Sequence, residues 1–410
     1  MSALTAGAAK SSITPSENLR LAGYSTTDNL LLMPFRHRVA TGVHDEIMAR
    51  CLVLGDGRKL LALVALDLLG LFKDDIDAIR REAERKTGRH DLHVIAASVH
   101  NHSAPDAYGA YGGVPDSYTR FLHDRASDAI AAAVAALAPA RVGFTTVTIP
   151  GLAFNHRDPD GPVDEEGTVM TVETEDGSAI ATLLNFACHA DIIGKRNTLV
   201  TADFPGCFCR AVEEARGGTG VYFSGALADA YPAATINDPD DEKGLRSYEE
   251  AEKMGRAMAD AVLKALPGAQ PVSSAEIRIQ KASIDLPVTN WILHVMRLMR
   301  IFRRDLHRGK VRTESWLVEI DGAQILTVPG QAFCQIGLEL KRSLPGPHRF
   351  LFGLAQDELA YIVPPELWDP KRHMEEEMAT LGRGTWPALR ASLPLPFTPA
   401  TDRPPEGSTS

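Results

Sequence analysis

The stretch that decides the fold runs from Leu92 to Pro105 and reads LHVIAASVHNHSAP. Its first part, Leu92–Val99, is mostly apolar and rich in β-formers, which predicts a buried strand. His100 and His102 follow at the strand end, directly before a turn that contains Pro105. Because α/β proteins place ligands beyond the ends of their strands, and neutral imidazole is the commonest metal-binding side chain, this position suits a metal site. A polar turn with satisfied histidines is the alternative interpretation of these residues alone.

Composition limits the classes of protein to which the chain can belong. With 410 residues and 44% hydrophobic residues, the chain has room for two or three core units or for one large α/β unit. The net charge of −10 argues against nucleic acid as the main partner, because phosphate binding needs a basic surface. The sequence shows no signal peptide, no apolar run of about 18 residues and no CxxC motif. These features predict a cytoplasmic protein with reduced thiols.

One pattern recurs three times: an apolar run, a turn that contains Asp-Gly, and a second apolar run. Asp-Gly between apolar runs is the strongest short-range signal for a β-hairpin. Each second run is nearly all apolar, as in a sheet covered on both faces, and ends close to Asp67, His189 or Gln331. Three strand ends that deliver polar side chains indicate one shared site. The paired runs are Cys51–Leu54 with Leu60–Asp67, Val169–Thr174 with Ala179–His189, and Trp316–Ile320 with Gln324–Pro329.

Helical patterns fill the intervals between these strands. The predicted helices are Asp74–Lys86, Asp116–Leu137, Pro205–Arg216, Ser247–Leu266 and Phe333–Leu344. Further short strands are predicted at Arg141–Thr148, Gly220–Ser224, Ile277–Leu286 and Arg349–Leu354. The fold class is therefore α/β, with residues 1–395 as a single large unit of mixed β-sheets flanked by helices. Residues 396–410 belong to a Pro-, Ser- and Thr-rich segment and are predicted to form a disordered tail.

The segment Trp291–Arg304 differs from the rest of the chain. It combines large apolar residues with Arg297, Arg300 and Arg304 at steps of three and four, an island of positive charge in an acidic protein. One interpretation is peripheral contact with an anionic membrane surface or a lipid entrance. The other is a helix that packs on the core and turns its arginine face to solvent.

A further set of motifs follows the first two histidines. Asn155–Arg157, a strand that ends in His189, and Asp203–Gly206 before a helix occur in that order. Taken with His100 and His102, their order and spacing resemble the catalytic domain of the neutral ceramidase family over nearly the whole chain. The resemblance implies a ceramidase-like catalytic domain and a zinc amidohydrolase that cleaves the N-acyl bond of ceramide or of another lipid amide by metal-activated water.

The resemblance also implies roles for individual residues. The implied metal ligands are His100, His189, Gln331 and Tyr361. The implied catalytic residues, which line the site and supply hydrogen bonds or a proton, are His102, Arg157 and Tyr361. Asp203 would orient a ligand histidine from behind. The implied partner is a lipid-like or acyl-amide small molecule.

Two departures from the family pattern bear on activity. Gln331 stands where the family has a glutamate, so the predicted site lacks the charge of a carboxylate ligand. Tyr231 stands where the family has a serine that has been proposed as a nucleophile, which argues against a serine mechanism. A catalytically silent relative that binds a lipid or small molecule is therefore one alternative. A zinc hydrolase of another amide or ester is a second.

Overall fold

The computed structural model describes residues 3–25, 37–233, 248–298, 304–369 and 379–394. The strands are β1 (Thr5–Ser12), β2 (Arg20–Ser25), β3 (His37–Val39), β4 (Gly42–Val43), β5 (Met48–Gly55), β6 (Leu60–Leu66), β7 (Leu92–Ser98), β8 (Ala138–Thr148), β9 (Ala153–Asn155), β10 (Glu166–Thr174), β11 (Ala179–Phe186), β12 (Leu199–Val200), β13 (Thr219–Ser224), β14 (Ala230–Pro232), β15 (Ile277–Pro287), β16 (Lys310–Ile320), β17 (Ala323–Thr327), β18 (Gln331–Ala332), β19 (Arg349–Phe352) and β20 (Tyr361–Ile362). The α-helices are α1 (Lys73–Thr87), α2 (Asp116–Ala135), α3 (Asp203–Arg216), α4 (Tyr248–Ala265), α5 (Trp291–Leu298), α6 (Cys334–Ser343) and α7 (Thr385–Arg390).

Two sheets organise the described part of the chain. The larger has eight strands in the order β13-β11-β10-β8-β1-β5-β6-β7, and the smaller has four in the order β15-β16-β17-β19. Both are mixed, since β6–β7, β11–β13 and β17–β19 pair in parallel and the other neighbours pair antiparallel. The short pairs β2–β3, β4–β12, β9–β14 and β18–β20 lie outside them. The predicted α/β fold with mixed sheets flanked by helices is confirmed.

All three predicted hairpins are confirmed, as the antiparallel pairs β5–β6, β10–β11 and β16–β17. Each second strand then takes a parallel partner, which sets two strand ends side by side. Leu66 at the end of β6 lies opposite Ser98 of β7, and Phe186 at the end of β11 lies opposite Ser224 of β13. The segments that follow β7 and β11 also meet, since Asn101 and Ala190 form a parallel bridge and His102 donates its backbone N–H to the carbonyl oxygen of Ala190 at 3.3 Å.

The helices cover the large sheet and bury their apolar faces against it. The five predicted helices are found with ends within two residues of the predicted ones. α1 and α2 pack on one face of β5 and β6, where Ile79 and Leu122 join Val53 in a buried cluster. Alternate residues of the same strands, such as Leu52, point the other way and share a cluster with Trp316 of the four-stranded sheet. The nearly all-apolar β6 is thus explained by burial on both faces.

The segment Trp291–Arg304 is helical over Trp291–Leu298, and residues 299–303 lie outside the described residues. Arg304 is only 7% exposed and forms an ion pair with Asp357. The prediction of a solvated arginine face is therefore wrong for Arg304, because a guanidinium held in the interior needs a paired charge. The predicted tail, residues 396–410, also lies outside the described residues. No helix in the described part of the chain is long and apolar enough to cross a membrane.

Candidate metal centre

Three buried histidines converge where β7 and β11 end. His100, His102 and His189 are 3%, 8% and 0% exposed, and one ring nitrogen from each lies within 4.8 Å of the other two. Their ring centroids are 4.8 to 5.7 Å apart. Two of the three were predicted as metal ligands from the sequence, and the third, His102, was predicted as a catalytic residue. The structure brings all three into one cluster, which has the size and donor type of a metal site.

The backbone selects the tautomer of two of these rings. His100 Nδ1 is 2.9 Å from the carbonyl oxygen of Leu69, and His189 Nδ1 is 2.7 Å from that of Leu227. A carbonyl only accepts hydrogen bonds, so Nδ1 must carry the proton in both rings. The Nε2 atoms therefore present lone pairs. This arrangement, with one ring nitrogen donating to a carbonyl and the other unprotonated, is the usual one for histidine ligands.

The third ring is buried without hydrogen bonds of its own. Neither ring nitrogen of His102 has a hydrogen-bond partner, and His189 Nε2 also lacks one. Burial is the main cause that holds the pKa of each of the three imidazoles well below its usual value, and the mutual proximity of the rings acts in the same direction. The cluster is thus neutral, and its unsatisfied buried nitrogens would each be costly unless they bind something. A metal cation fits these donors.

Glycine and arginine residues distant in sequence hold His102 in place. Gly23 has φ +89°, and a Cβ added there would lie 2.5 Å from His102 Nδ1. Buried Arg38 donates hydrogen bonds to the carbonyl oxygens of Ala22, at 2.6 Å, and of His102, at 2.5 Å. The ring of Tyr24 meets His102 edge-on at 5.1 Å. Neither Gly23 nor Arg38 is predicted from the sequence, because no local pattern links the segment around residue 23 to the histidine turn.

The backbone around the centre is strained. His100, Leu354, Gln356 and Ala360 have φ values of 66°, 48°, 72° and 60°. For residues other than glycine such a conformation costs about 1 to 3 kcal/mol and persists only where the surroundings impose it. Here the surroundings include backbone hydrogen bonds between loops, such as Leu354 N–H to the carbonyl oxygen of Gly330 at 3.2 Å.

Gln331 and Tyr361, predicted as further ligands, lie side by side as register partners in the parallel pair β18–β20. Gln331 is buried, and its Oε1 atom has no hydrogen-bond partner. Its Nε2 atom is 3.5 Å from Oε1 of Glu358, a residue that is not among those predicted from the sequence. Burial raises the pKa of Glu358 to about 8. A second group of unsatisfied polar atoms therefore accompanies the histidines.

Arg157 and Tyr231 occupy the side of the site formed by β9 and β14. Arg157 donates a hydrogen bond to the carbonyl oxygen of Leu367, and its guanidinium lies 5.3 Å from the ring centroid of Phe333. Tyr231 stacks on His189 with ring centroids 4.2 Å apart. The position at which a serine nucleophile was considered thus presents an aromatic ring to a histidine of the cluster.

Asp203 is placed differently from the prediction. Its carboxylate accepts hydrogen bonds from the backbone N–H groups of Ile192, Ile193 and Phe204, at 3.0, 3.3 and 2.6 Å. The ring Nδ1 atoms of His100 and His189 are instead held by backbone carbonyls. Asp203 therefore holds the loop that follows His189, and it acts on that loop rather than directly on a histidine ring.

We expect the stability of the protein relative to D203N to fall as the pH rises from about 4 to about 7. Burial raises the pKa of Asp203 to about 7 in the folded chain, whereas an unfolded aspartate titrates near pH ~3.9. The folded chain holds the extra proton in this window. The contribution of Asp203 to the unfolding free energy is therefore full below about pH 4 and is lost as the pH rises through 7. Between these pH values, the unfolding free energy of the parent protein minus that of D203N, measured by denaturant titrations, should fall by about 2 to 4 kcal/mol.

A comparison with D176N tests the sign of this effect. Hydrogen bonds from Thr174 and Ser178 lower the pKa of the exposed Asp176, so its contribution should be lost as the pH falls. The two variants should therefore show opposite slopes against the same parent protein. If the difference in unfolding free energy between the parent protein and D203N stayed constant or rose with pH, the raised pKa of Asp203 would be contradicted.

Comparison with solved structures identifies proteins with a similar fold. The chain matches the crystal structure of neutral ceramidase from Pseudomonas aeruginosa with a TM-score of 0.73 and 16% sequence identity, over 99% of this chain and 77% of that chain. A structure of a ceramidase complexed with C2 matches with a TM-score of 0.72 and 16% identity, over 97% and 77% of the two chains. No family model matches the chain, and no curated protein matches its sequence significantly. The chain therefore has a ceramidase-like fold, with a buried three-histidine cluster at the strand ends.

Proposed function

We propose that the protein is a metal-dependent hydrolase of N-acyl amides with lipid-like acyl chains, and that its ion is Zn²⁺. The observation that carries the proposal is the convergence of three buried, neutral imidazoles, two of them fixed by the backbone with Nε2 unprotonated. Catalytic zinc sites commonly use three protein ligands and leave the fourth position open. The ceramidase-like fold supports an amide as the scissile bond.

The residues of the chain then have distinct tasks. When bound, Zn²⁺ supplies a Lewis acid that polarises a carbonyl and lowers the pKa of water. His100, His102 and His189 hold it, and the role of His102 changes from the predicted proton donor to a third ligand. Arg157 and Tyr361 donate hydrogen bonds to the acyl oxygen of the substrate as charge develops there. The burial of the cluster keeps bulk water out and strengthens these interactions.

A substrate panel tests this function. The metal-loaded protein is incubated with N-acyl amides of increasing acyl length and with esters of the same acids, beside protein stripped by a chelator. We expect hydrolysis of the long-chain amides by the loaded protein and none by the stripped protein. Cleavage of the esters alone would favour the alternative of a different hydrolase.

A silent binding protein is the second candidate, because Tyr231 covers one face of His189 and Gln331 contributes no charge. Such a protein would bind a fluorescent acyl amide and release it unchanged. Binding without product in the panel, with metal present, would favour this candidate over the hydrolase.

We also propose that helix α5 contacts an anionic lipid surface. Trp291, Val295 and Leu298 are 70%, 43% and 85% exposed, and their spacing places them on one helix face. Arg297 on the same helix is exposed as well. An aromatic and two aliphatic side chains beside a cation suit the boundary between lipid headgroups and acyl chains.

We expect the tryptophan fluorescence of the protein to shift to the blue on mixing with phosphatidylcholine vesicles that contain phosphatidylglycerol. W291A should lose the shift and bind the vesicles about tenfold more weakly, because an exposed aromatic side chain contributes roughly 1.5 to 3 kcal/mol on burial and part of this is realised at a surface. The control is F121A, which removes an exposed aromatic residue from helix α2. Equal binding by W291A and F121A would contradict the proposal.

A further inference from the structure

Gln331 and Glu358 form a buried carboxamide–carboxylate pair. The two residues are 7% and 3% exposed, and Gln331 Nε2 is 3.5 Å from Glu358 Oε1. The remaining oxygen of each side chain, Gln331 Oε1 and Glu358 Oε2, is buried without a hydrogen-bond partner. Gln331 thus turns its amide N–H group to Glu358 and its amide oxygen away from it.

On one side, the pair adjoins the turn that holds His189. The carbonyl oxygen of Leu227 accepts the hydrogen bond from His189 Nδ1. The next residue, Ala228, donates its backbone N–H to the carbonyl oxygen of Ala332 at 3.0 Å. Ala332 directly follows Gln331, so Gln331 lies one hydrogen bond away from the turn that fixes His189.

On the other side, the pair adjoins the turn that holds His100. A Cβ added to Gly70 would lie 2.9 Å from Cγ and 3.1 Å from Oε2 of Glu358. Gly70 directly follows Leu69, whose carbonyl oxygen accepts the hydrogen bond from His100 Nδ1. The carboxylate of Glu358 is therefore packed against the turn that fixes His100, with its unpartnered oxygen on that side.

Charge explains why a carboxylate is useful there. Three neutral imidazoles with a divalent cation would leave two positive charges in a buried site, and a buried charge is costly unless an opposite charge lies close by. The neighbouring carboxylate of Asp357 is paired with Arg304. Glu358 forms no ion pair among the described residues, although Arg304 donates to its backbone carbonyl at 3.1 Å. No cationic side chain of the described residues pairs with its carboxyl group, so a cation bound close by would supply the opposite charge that favours the ionised form.

We propose that Gln331 and Glu358 act together as the acidic group of this centre: Gln331 directs its amide oxygen into the site, and Glu358 supplies the negative charge that stabilises the cation. Glu358 is thus a positioning residue, which acts through the amide that it orients. The inference rests on the proposed function, since it needs a resident cation.

The test measures Zn²⁺ affinity by competition with a chelating dye, without any substrate. We expect E358Q to lower the affinity about 10- to 100-fold, as loss of an outer partner of a metal ligand commonly does. The exchange variant Q331E/E358Q reverses the pair and should recover most of the loss. The matched control is E366Q, which alters a glutamine–glutamate pair on the surface, where Gln335 Nε2 is 2.6 Å from Glu366 Oε1.

Stability of the metal-free protein separates this role from a structural one. Because the carboxyl group of Glu358 is buried without an ion pair among the described residues, metal-free E358Q should be as stable as the parent protein or more stable in denaturant titrations. Unchanged Zn²⁺ affinity in E358Q, or no recovery in the exchange variant, would overturn the inference and leave the proposed function standing. A parent protein that binds no Zn²⁺ would overturn both.

Discussion

H189A is expected to bind Zn²⁺ at least about a thousandfold more weakly than the parent protein, and H100A should behave in the same way. The loss should exceed the 10- to 100-fold effect of removing an outer partner, because a donor atom itself disappears. Hydrolysis of acyl amides should disappear with the metal. Since a ligand at about 100 times its dissociation constant stabilises the native state by about 2.7 kcal/mol, Zn²⁺ should raise the unfolding free energy of the parent but not of these variants.

The control for these variants is H90A. His90 has a side chain 87% exposed and contacts only Glu84 among the partners described for its ring, so its loss should change neither Zn²⁺ content nor stabilisation by Zn²⁺. Elemental analysis of the purified proteins and denaturant titrations with and without Zn²⁺ provide the two readouts. If H189A retained one Zn²⁺ per chain, the three-histidine centre would not be the metal site.

G23A is expected to destabilise the protein by about 2 to 5 kcal/mol and to weaken Zn²⁺ binding, although residue 23 is no ligand. The added methyl group would lie 2.5 to 2.9 Å from three atoms of His102, so the ring has to move. Overpacking in a filled interior costs about 1 to 3 kcal/mol. The left-handed backbone at φ +89° adds about 1 to 2 kcal/mol for any residue with a Cβ.

G88A isolates the second of these costs. Gly88 ends helix α1 with φ +65°, and a Cβ there would meet no atom within 4 Å. G88A should therefore cost only about 1 to 2 kcal/mol and leave Zn²⁺ affinity unchanged. If G23A and G88A had equal effects on stability and on Zn²⁺ affinity, Gly23 would be required only for its backbone conformation and not for the position of His102.

Much of the fold was predictable because its signals are local. Asp-Gly turns between apolar runs identified three hairpins, and the continuous apolar run of β6 indicated a strand covered on both faces. The same signals place His100 and His189 at strand ends, where the sequence predicts a shared site. The placement of Asp67 could not be predicted, since its carboxylate turns away to accept a hydrogen bond from Met48 N–H at 2.8 Å.

The sequence by itself determined the elements, their order and the position of the histidines at strand ends, because periodicity and turn chemistry act over a few residues. Only the tertiary structure decided which distant groups meet there. Gly23 makes room for His102, Arg304 is buried against Asp357, and Glu358 pairs with Gln331, 27 residues away. These contacts depend on the register of strands and loops from separate parts of the chain, and residue type alone does not encode that register.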